Sequence, residues 1–168
     1  MSSKSKIRLL EKLRDDILAS AADPWLFPEN GKVKGFLGTG PLMLVAERPS
    51  TGHVGAPPRL LYSLLEKYNA AGAHLTDLIK SRGKVGEPYP ADMGLHRRIF
   101  DRELEIVQPT LIVTFGKKVY DLLQFSLAGR RITIRPVWHY AYARRGVDKA
   151  IAFEKQIRNA LQPDPTSQ

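Results

Sequence analysis

Two short runs constrain the fold of this chain more than anything else in it. "LMLVA" (residues 42–46) and "TLIVTFG" (residues 110–116) are apolar or β-branched stretches in which no polar phase alternates with the apolar one. A strand wetted on one side alternates, whereas a continuous run belongs to a strand covered on both faces. Each run passes into a segment of helical period. "PPRLLYSLLEKYN" opens with proline at a favoured helix start and repeats Leu60, Leu61, Leu64, Leu65 and Tyr68 on one face, and "KKVYDLLQFSL" follows the second run. "AHLTDLI" and "RRITIRPVWH" read as two further strands, and "MGLHRRIFDRELEIVQ" as a helix stopped by Pro109. Helices also open the chain over residues 4–20 and close it over "VDKAIAFEKQIRNAL". Between the first helix and the first strand, "ADPWLFPENGKVKG" carries loop signals, with Trp25 and Phe27 expected to pack on the body.

Strands alternating with helices of this length imply right-handed βαβ units. The expected fold is therefore α/β: three αβα layers around a central four-stranded parallel sheet. At 168 residues the chain is expected to form a single domain, with an N-terminal helix at 4–20, a core over 40–161 and a flexible tail at 162–168. Ligands in such sheets sit at the carboxyl ends of the strands. That rule selects three polar or Gly/Pro-rich loops, at residues 47–57, 77–90 and 139–146.

Absent motifs narrow the chemistry. There is no cysteine, which removes disulfides, thiolate nucleophiles and Cys-held iron–sulfur clusters or zinc ribbons. No GxGxxG, Walker A, HExxH or GxSxG segment occurs, and the four histidines show no metal-ligand spacing, so neither a cofactor nor a metal is expected. No apolar run reaches the roughly 18 residues needed to span a bilayer, and a soluble, cytoplasmic, monomeric protein is the expectation. The formal net charge of +9 attracts polyanions, of which nucleic acid is the commonest inside a cell.

Each loop holds candidate groups with a plainer alternative beside them. Glu47 stands at the end of the first strand, where a helix amino terminus and apolar walls would tune its proton affinity; it could equally cap the next helix or pair with Arg48. In the last loop, "RPVWHYAYARRG" sets His139 among Trp138, Tyr140 and Tyr142, followed by Arg144 and Arg145. Residues 130–149 hold six Lys/Arg and one Asp, and aromatics interleaved with cations suit base stacking beside phosphate contacts. The alternative is a half-buried histidine among core aromatics. In the middle loop Asp77, Lys80 and Arg82 lie within six residues, or form a solvated turn.

Taken in order, these pieces resemble the uracil-DNA glycosylase superfamily, especially its family four and five branches. "LVAERPS" resembles the GEAPG motif, with Ala46, Glu47, Arg48, Pro49 and Ser50 in its five places. "HVGAPPRLL" is similar to FVGRAGRLL, "LTDLIKSRG" to TNVVKCRPP, "RELEIVQPTLIVTFGKKVYDLL" to REIELLKPKLIVALGRTAAEALL, and "PVWHYAYAR" to the HPSP or HPAA motif. The resemblance covers residues 40–160. It implies an enzyme that flips a damaged base out of DNA and hydrolyses its N-glycosidic bond in base-excision repair. Glu47 would activate water and offset charge in an oxocarbenium-like sugar. His139 would hydrogen-bond the departing base, worth about 3–4 kcal/mol for a preorganised oxyanion donor. His53, Asp77 and Ala46 would contact the base, with His53 in the place of the stacking Phe and Asp77 in that of the base-reading Asn. Arg48, Ser50, Lys80, Arg82, Tyr140, Tyr142, Arg144 and Arg145 would contact DNA.

The same resemblance marks departures. An ionised Asp77 only accepts, where an amide both donates and accepts, so a lesion other than uracil is expected. The cluster cysteines of family four are missing. Two other readings accompany the enzyme: a non-catalytic nucleic-acid-binding member of the fold, and an unrelated α/β protein holding a small anion at the strand ends.

Overall fold

The computed structural model describes residues 1–50, 58–84 and 86–162. The two apolar runs become the adjacent central strands, β1 (Leu42–Ala46) and β3 (Leu111–Phe115). β2 (His74–Asp77) lies outside β1 and β4 (Thr133–Val137) outside β3, giving the order β2-β1-β3-β4 with every pair parallel. β1 shows no polar phase because both of its faces are covered. Met43, Val45 and Ile112 face α1 (Ser3–Ser20), α3 (Met93–Val107) and α4 (Lys117–Ser126). Leu44, Ala46, Val113 and Phe115 face α2 (Arg59–Lys67) and α5 (Val147–Leu161). The result is an α/β fold of three αβα layers. Edge strand β4 is mostly exposed or half-buried up to Val137 rather than strictly alternating, and it can hold Pro136 because a proline without an N–H is tolerated where only one neighbour must be paired.

Local chemistry sets the element ends. Ser2 caps α1, its Oγ accepting from the Ser5 amide at 3.2 Å, and Asp92 caps α3, its Oδ1 accepting from Leu95 at 2.9 Å. α3 stops at Gln108, whose φ of 54° breaks the helix just ahead of Pro109. β2 is shorter than the expected run: the chain bends at Leu78, although the Leu78 and Ile79 amides still donate to the Ala46 and Glu47 carbonyls at 2.9 Å. Those two bonds tie the β2 exit to the β1 exit. Trp25 and Phe27 pack edge to face in the core, as expected of the first long loop. The tail at 163–168 lies outside the described residues.

A charged layer is buried between β2 and α3. Lys80 Nζ lies 2.7 Å from Glu103 Oε1 and 2.6 Å from Thr76 Oγ1, and it also donates to the Asp77 carbonyl. His74 Nε2 stands 3.5 Å from Glu103 Oε2. All these side chains are excluded from water. Burial alone would raise the Glu103 pKa, but the Lys80 charge and the His74 contact outweigh it and the net shift is downward.

Candidate active site

The chain leaves β1 for β2 on one side and returns to β3 on the other, so the strand order reverses between β1 and β3. At such a reversal the loops diverge and leave a crevice beyond the carboxyl ends of the strands. A cleft of about 910 Å³ opens there. Its walls come from the exits of β1 (Glu47, Arg48, Ser50), β3 (Gly116 to Val119) and β4 (His139 to Ala141), with Tyr89 and Arg144 at its sides.

Glu47 is the first residue after β1. Lys118 Nζ donates to its Oε1 at 2.5 Å, and the Tyr89 hydroxyl donates to the same oxygen. The Lys118 ammonium also lies 4.6 Å from the centroid of the Tyr89 ring, a cation–π contact that holds the two partners together. Gly116 makes this possible: its φ of 90° lets the chain turn sharply from β3 into α4, and Lys118 stands in the first helical turn. Partial burial pushes the Glu47 pKa up. The hydrogen bonds from Lys118 and Tyr89, with the Lys118 and Arg48 charges, push it down further, so the carboxyl stays ionised at neutral pH. Such a group can stabilise positive charge or orient water. It is not an acid.

His139 is placed by the turn after β4. Its Nδ1 accepts from the Ala141 amide at 3.1 Å, so the proton of the neutral ring sits on Nε2. The ring packs 4.3 Å from Tyr140 and 6.2 Å from Phe115, centroid to centroid. Trp138 anchors the turn from below, its amide donating to Gln156 Oε1 of α5 at 2.7 Å. The cleft thus combines an anionic carboxylate with an N–H donor.

A family model for the uracil DNA glycosylase superfamily matches residues 34–162. The chain belongs to the uracil DNA glycosylase superfamily. No curated relative matches it.

In this superfamily member, several residues singled out from the sequence do line the cleft: Glu47, His139, Arg48, Ser50, Tyr140 and Arg144. Others take different places. Lys80 offers nothing to a phosphate, because its ammonium is fully buried against Glu103, Thr76 and the Asp77 carbonyl. Tyr140 borders the cleft with its ring buried between Phe27 and Phe115, so the core reading holds for it and base stacking does not. Ala46 is wholly buried, and its carbonyl is taken by the Leu78 amide. The Arg48 guanidinium spans two loops, donating to the Arg82 carbonyl at 2.9 Å and the Pro88 carbonyl at 3.4 Å. It lies so close to Gly83 that a Cβ there would sit 1.8 Å from Arg48 Cζ, which makes Arg48 a brace rather than a free cation. Arg82 faces Asp23 of the first long loop, Nε to Oδ1 at 3.8 Å. Tyr142 and Arg145 lie on a short 3₁₀ turn, Tyr142–Arg145, outside the cleft.

Asp77 is buried on the face of β2 that carries Leu75, and its Oδ1 has no hydrogen-bond partner among the described residues. Burial pushes its pKa up; Lys80 opposes that, Glu103 adds to it, and the result is about 8. His53 lies outside the described residues. Among the described residues no group of His, Asp and Glu could hold a metal ion. Two cleft residues, Lys118 and Tyr89, were not anticipated. The strand-end rule reaches Lys118 once it is applied to the exit of β3, which is so short that it does not register as a polar loop. Tyr89 carries no local signal, since only the fold brings it to Glu47.

Proposed function

We propose that this chain is a DNA glycosylase that flips a damaged or deaminated base into the cleft and hydrolyses its N-glycosidic bond. What carries the reading is that an ionised Glu47 and the Nε2–H donor of His139 line one cleft at the strand exits. As the bond to the base breaks, positive charge grows on the sugar and negative charge on the base. Glu47 offsets the first and orients the water that adds to C1′; His139 donates to the oxygen on which the second collects. The electron pair of the broken bond leaves with the base, and the proton released by the water passes to the Glu47 carboxylate and on to solvent. Ser50, Arg82, Tyr142, Arg144 and Arg145 contribute contacts to DNA, and His53 a contact to the base.

In this reading the motif resemblance gives Asp77 the choice of base, while the structure buries it outside the lining of the cleft. Its neutral form presents a hydroxyl donor and a carbonyl acceptor, the same pair an amide presents, and so suits an edge with an acceptor beside an N–H, as deaminated pyrimidines have. The ionised form only accepts and suits edges that only donate. Burial favours the neutral form at neutral pH.

A second reading, a nucleic-acid-binding member without activity, is favoured by the capping of Glu47 Oε1 by both Lys118 and Tyr89. The two separate on oligonucleotides, single- and double-stranded, carrying uracil, hypoxanthine, xanthine and oxidised pyrimidines, with abasic sites revealed by alkali. Alkali-labile product that disappears in both Glu47→Gln and His139→Ala is the expected result. Salt-sensitive binding with no product on any substrate would establish the binding module instead.

A further inference from the structure

Next to the cleft, on the outer side of the turn that carries His139, two aromatic rings and two cations form one surface cluster. Trp138 and Tyr142 pack edge to face with centroids 5.1 Å apart. Lys149, from the first turn of α5, places its ammonium 5.8 Å from the Trp138 centroid and 5.3 Å from that of Tyr142, and the Arg145 guanidinium lies 5.0 Å from Tyr142. Among the described residues neither Arg145 nor Lys149 has a carboxylate partner. Trp138 is 38 % exposed, whereas the other tryptophan of the chain, Trp25, is 5 % exposed.

A tryptophan placed only to fill the core would bury its ring, as Trp25 does. Here the backbone of Trp138 is fixed by Gln156 while the indole stays at the surface, beside two cations with no carboxylate partner among the described residues. A planar ring face next to an anion is what such a group recognises, and a nucleotide supplies both. The cluster also adjoins the cleft: Trp138 precedes His139, and Arg145 follows Arg144, which lines the cleft wall. In a duplex both faces of a base are covered by its neighbours, so only an unpaired base has a face to offer.

We propose that Trp138, Tyr142, Arg145 and Lys149 form a stacking platform for the unpaired nucleotide beside the one in the cleft, so that this protein engages single-stranded DNA in preference to duplex. The inference rests on the reading of the protein as one that acts on DNA. Its test needs no excision. The full chain is titrated with an unmodified oligothymidylate of about 12 nucleotides and with a duplex of the same length, following tryptophan fluorescence, which the burial of Trp25 makes a report on Trp138. The single strand is expected to quench the emission and to bind about ten-fold tighter than the duplex, and Trp138→Ala to weaken single-strand binding about ten-fold, as loss of one stacked base does. Trp138→Phe is expected to keep most of the affinity, and Lys149→Gln to lose part of it with the emission still quenched. Equal binding of duplex and single strand overturns the proposal, as does unchanged affinity in Trp138→Ala with a wild-type circular dichroism spectrum. Should Trp138→Ala fail to fold, unchanged affinity in Lys149→Gln together with unquenched wild-type emission overturns it equally. Base excision with an inert platform would remove this inference alone; a working platform with no excision on any lesion would remove the glycosylase reading alone.

Discussion

Asp77 shows how far a residue's chemistry depends on where the fold puts it. In sequence it is an acidic residue followed closely by Lys80 and Arg82, and in a solvated loop it would be ionised. In the structure it is buried at the end of β2, and its carboxyl titrates at about 8. The unfolded chain releases that proton at about pH 3.9, so between these values the native state binds more protons than the unfolded state. Stability contributed by the proton is therefore full below about pH 4 and is lost progressively as the pH rises to 8. Asp77→Asn has no proton to lose. Its melting temperature is expected to exceed that of the wild type at pH 8.5 by several degrees, with the gap closing towards pH 5; parallel melting curves across that range would show that Asp77 is ionised throughout. Glu47 is the opposite case. Its neighbours in sequence suggested a pairing with Arg48, but the groups that touch it are Lys118 and Tyr89, 71 and 42 positions away.

Among the elements, strand and helix identity was legible because burial has a period. β1 falls on the expected run residue for residue, and α5 spans the expected segment. The ends of β2 and β4 were less legible. At a strand exit the choice between continuing and bending is made by bonds to a neighbour that is remote in sequence, here Ala46 and Glu47 for β2. The packing of α3 on β2 is the least local case. Lys80 reads from the sequence as a DNA contact or as part of a solvated turn, yet it pairs with Glu103 at 2.7 Å with no exposure. Removing one partner of a buried pair leaves the other charge without compensation, at a cost of about 3–5 kcal/mol. Lys80→Met is expected to destabilise the protein by that amount in urea unfolding. A loss below about 1 kcal/mol would be the value of a surface pair and would contradict the burial of Lys80.

For the molecule as a whole, the net charge of +9 becomes useful only where the cations stay free of partners. Lys80, Arg48 and Lys118 are each committed to internal contacts. Arg144, Arg145 and Lys149 lie together on the turn after β4 and the first turn of α5, at the cleft edge. If those three neutralise three phosphates of a single strand, log K should fall against log salt with a slope of about −2. Fluorescence anisotropy at rising potassium chloride measures it. Arg145→Glu is expected to make the slope shallower, and a flat dependence in the wild type would exclude this surface from phosphate binding.

The layer architecture, the parallel sheet and the crevice at its strand ends were determined by the sequence alone, since apolar periodicity and the order of strands and helices are local properties of the chain. The motif series likewise marks Glu47 and His139, because Glu47 follows directly on β1 and His139 comes two residues after β4. Which charges face the cleft and which are buried was decided by tertiary structure. A lysine's surroundings are set by residues far along the chain, and desolvation and pairing, the two effects that govern its chemistry, exist only once those residues have come together.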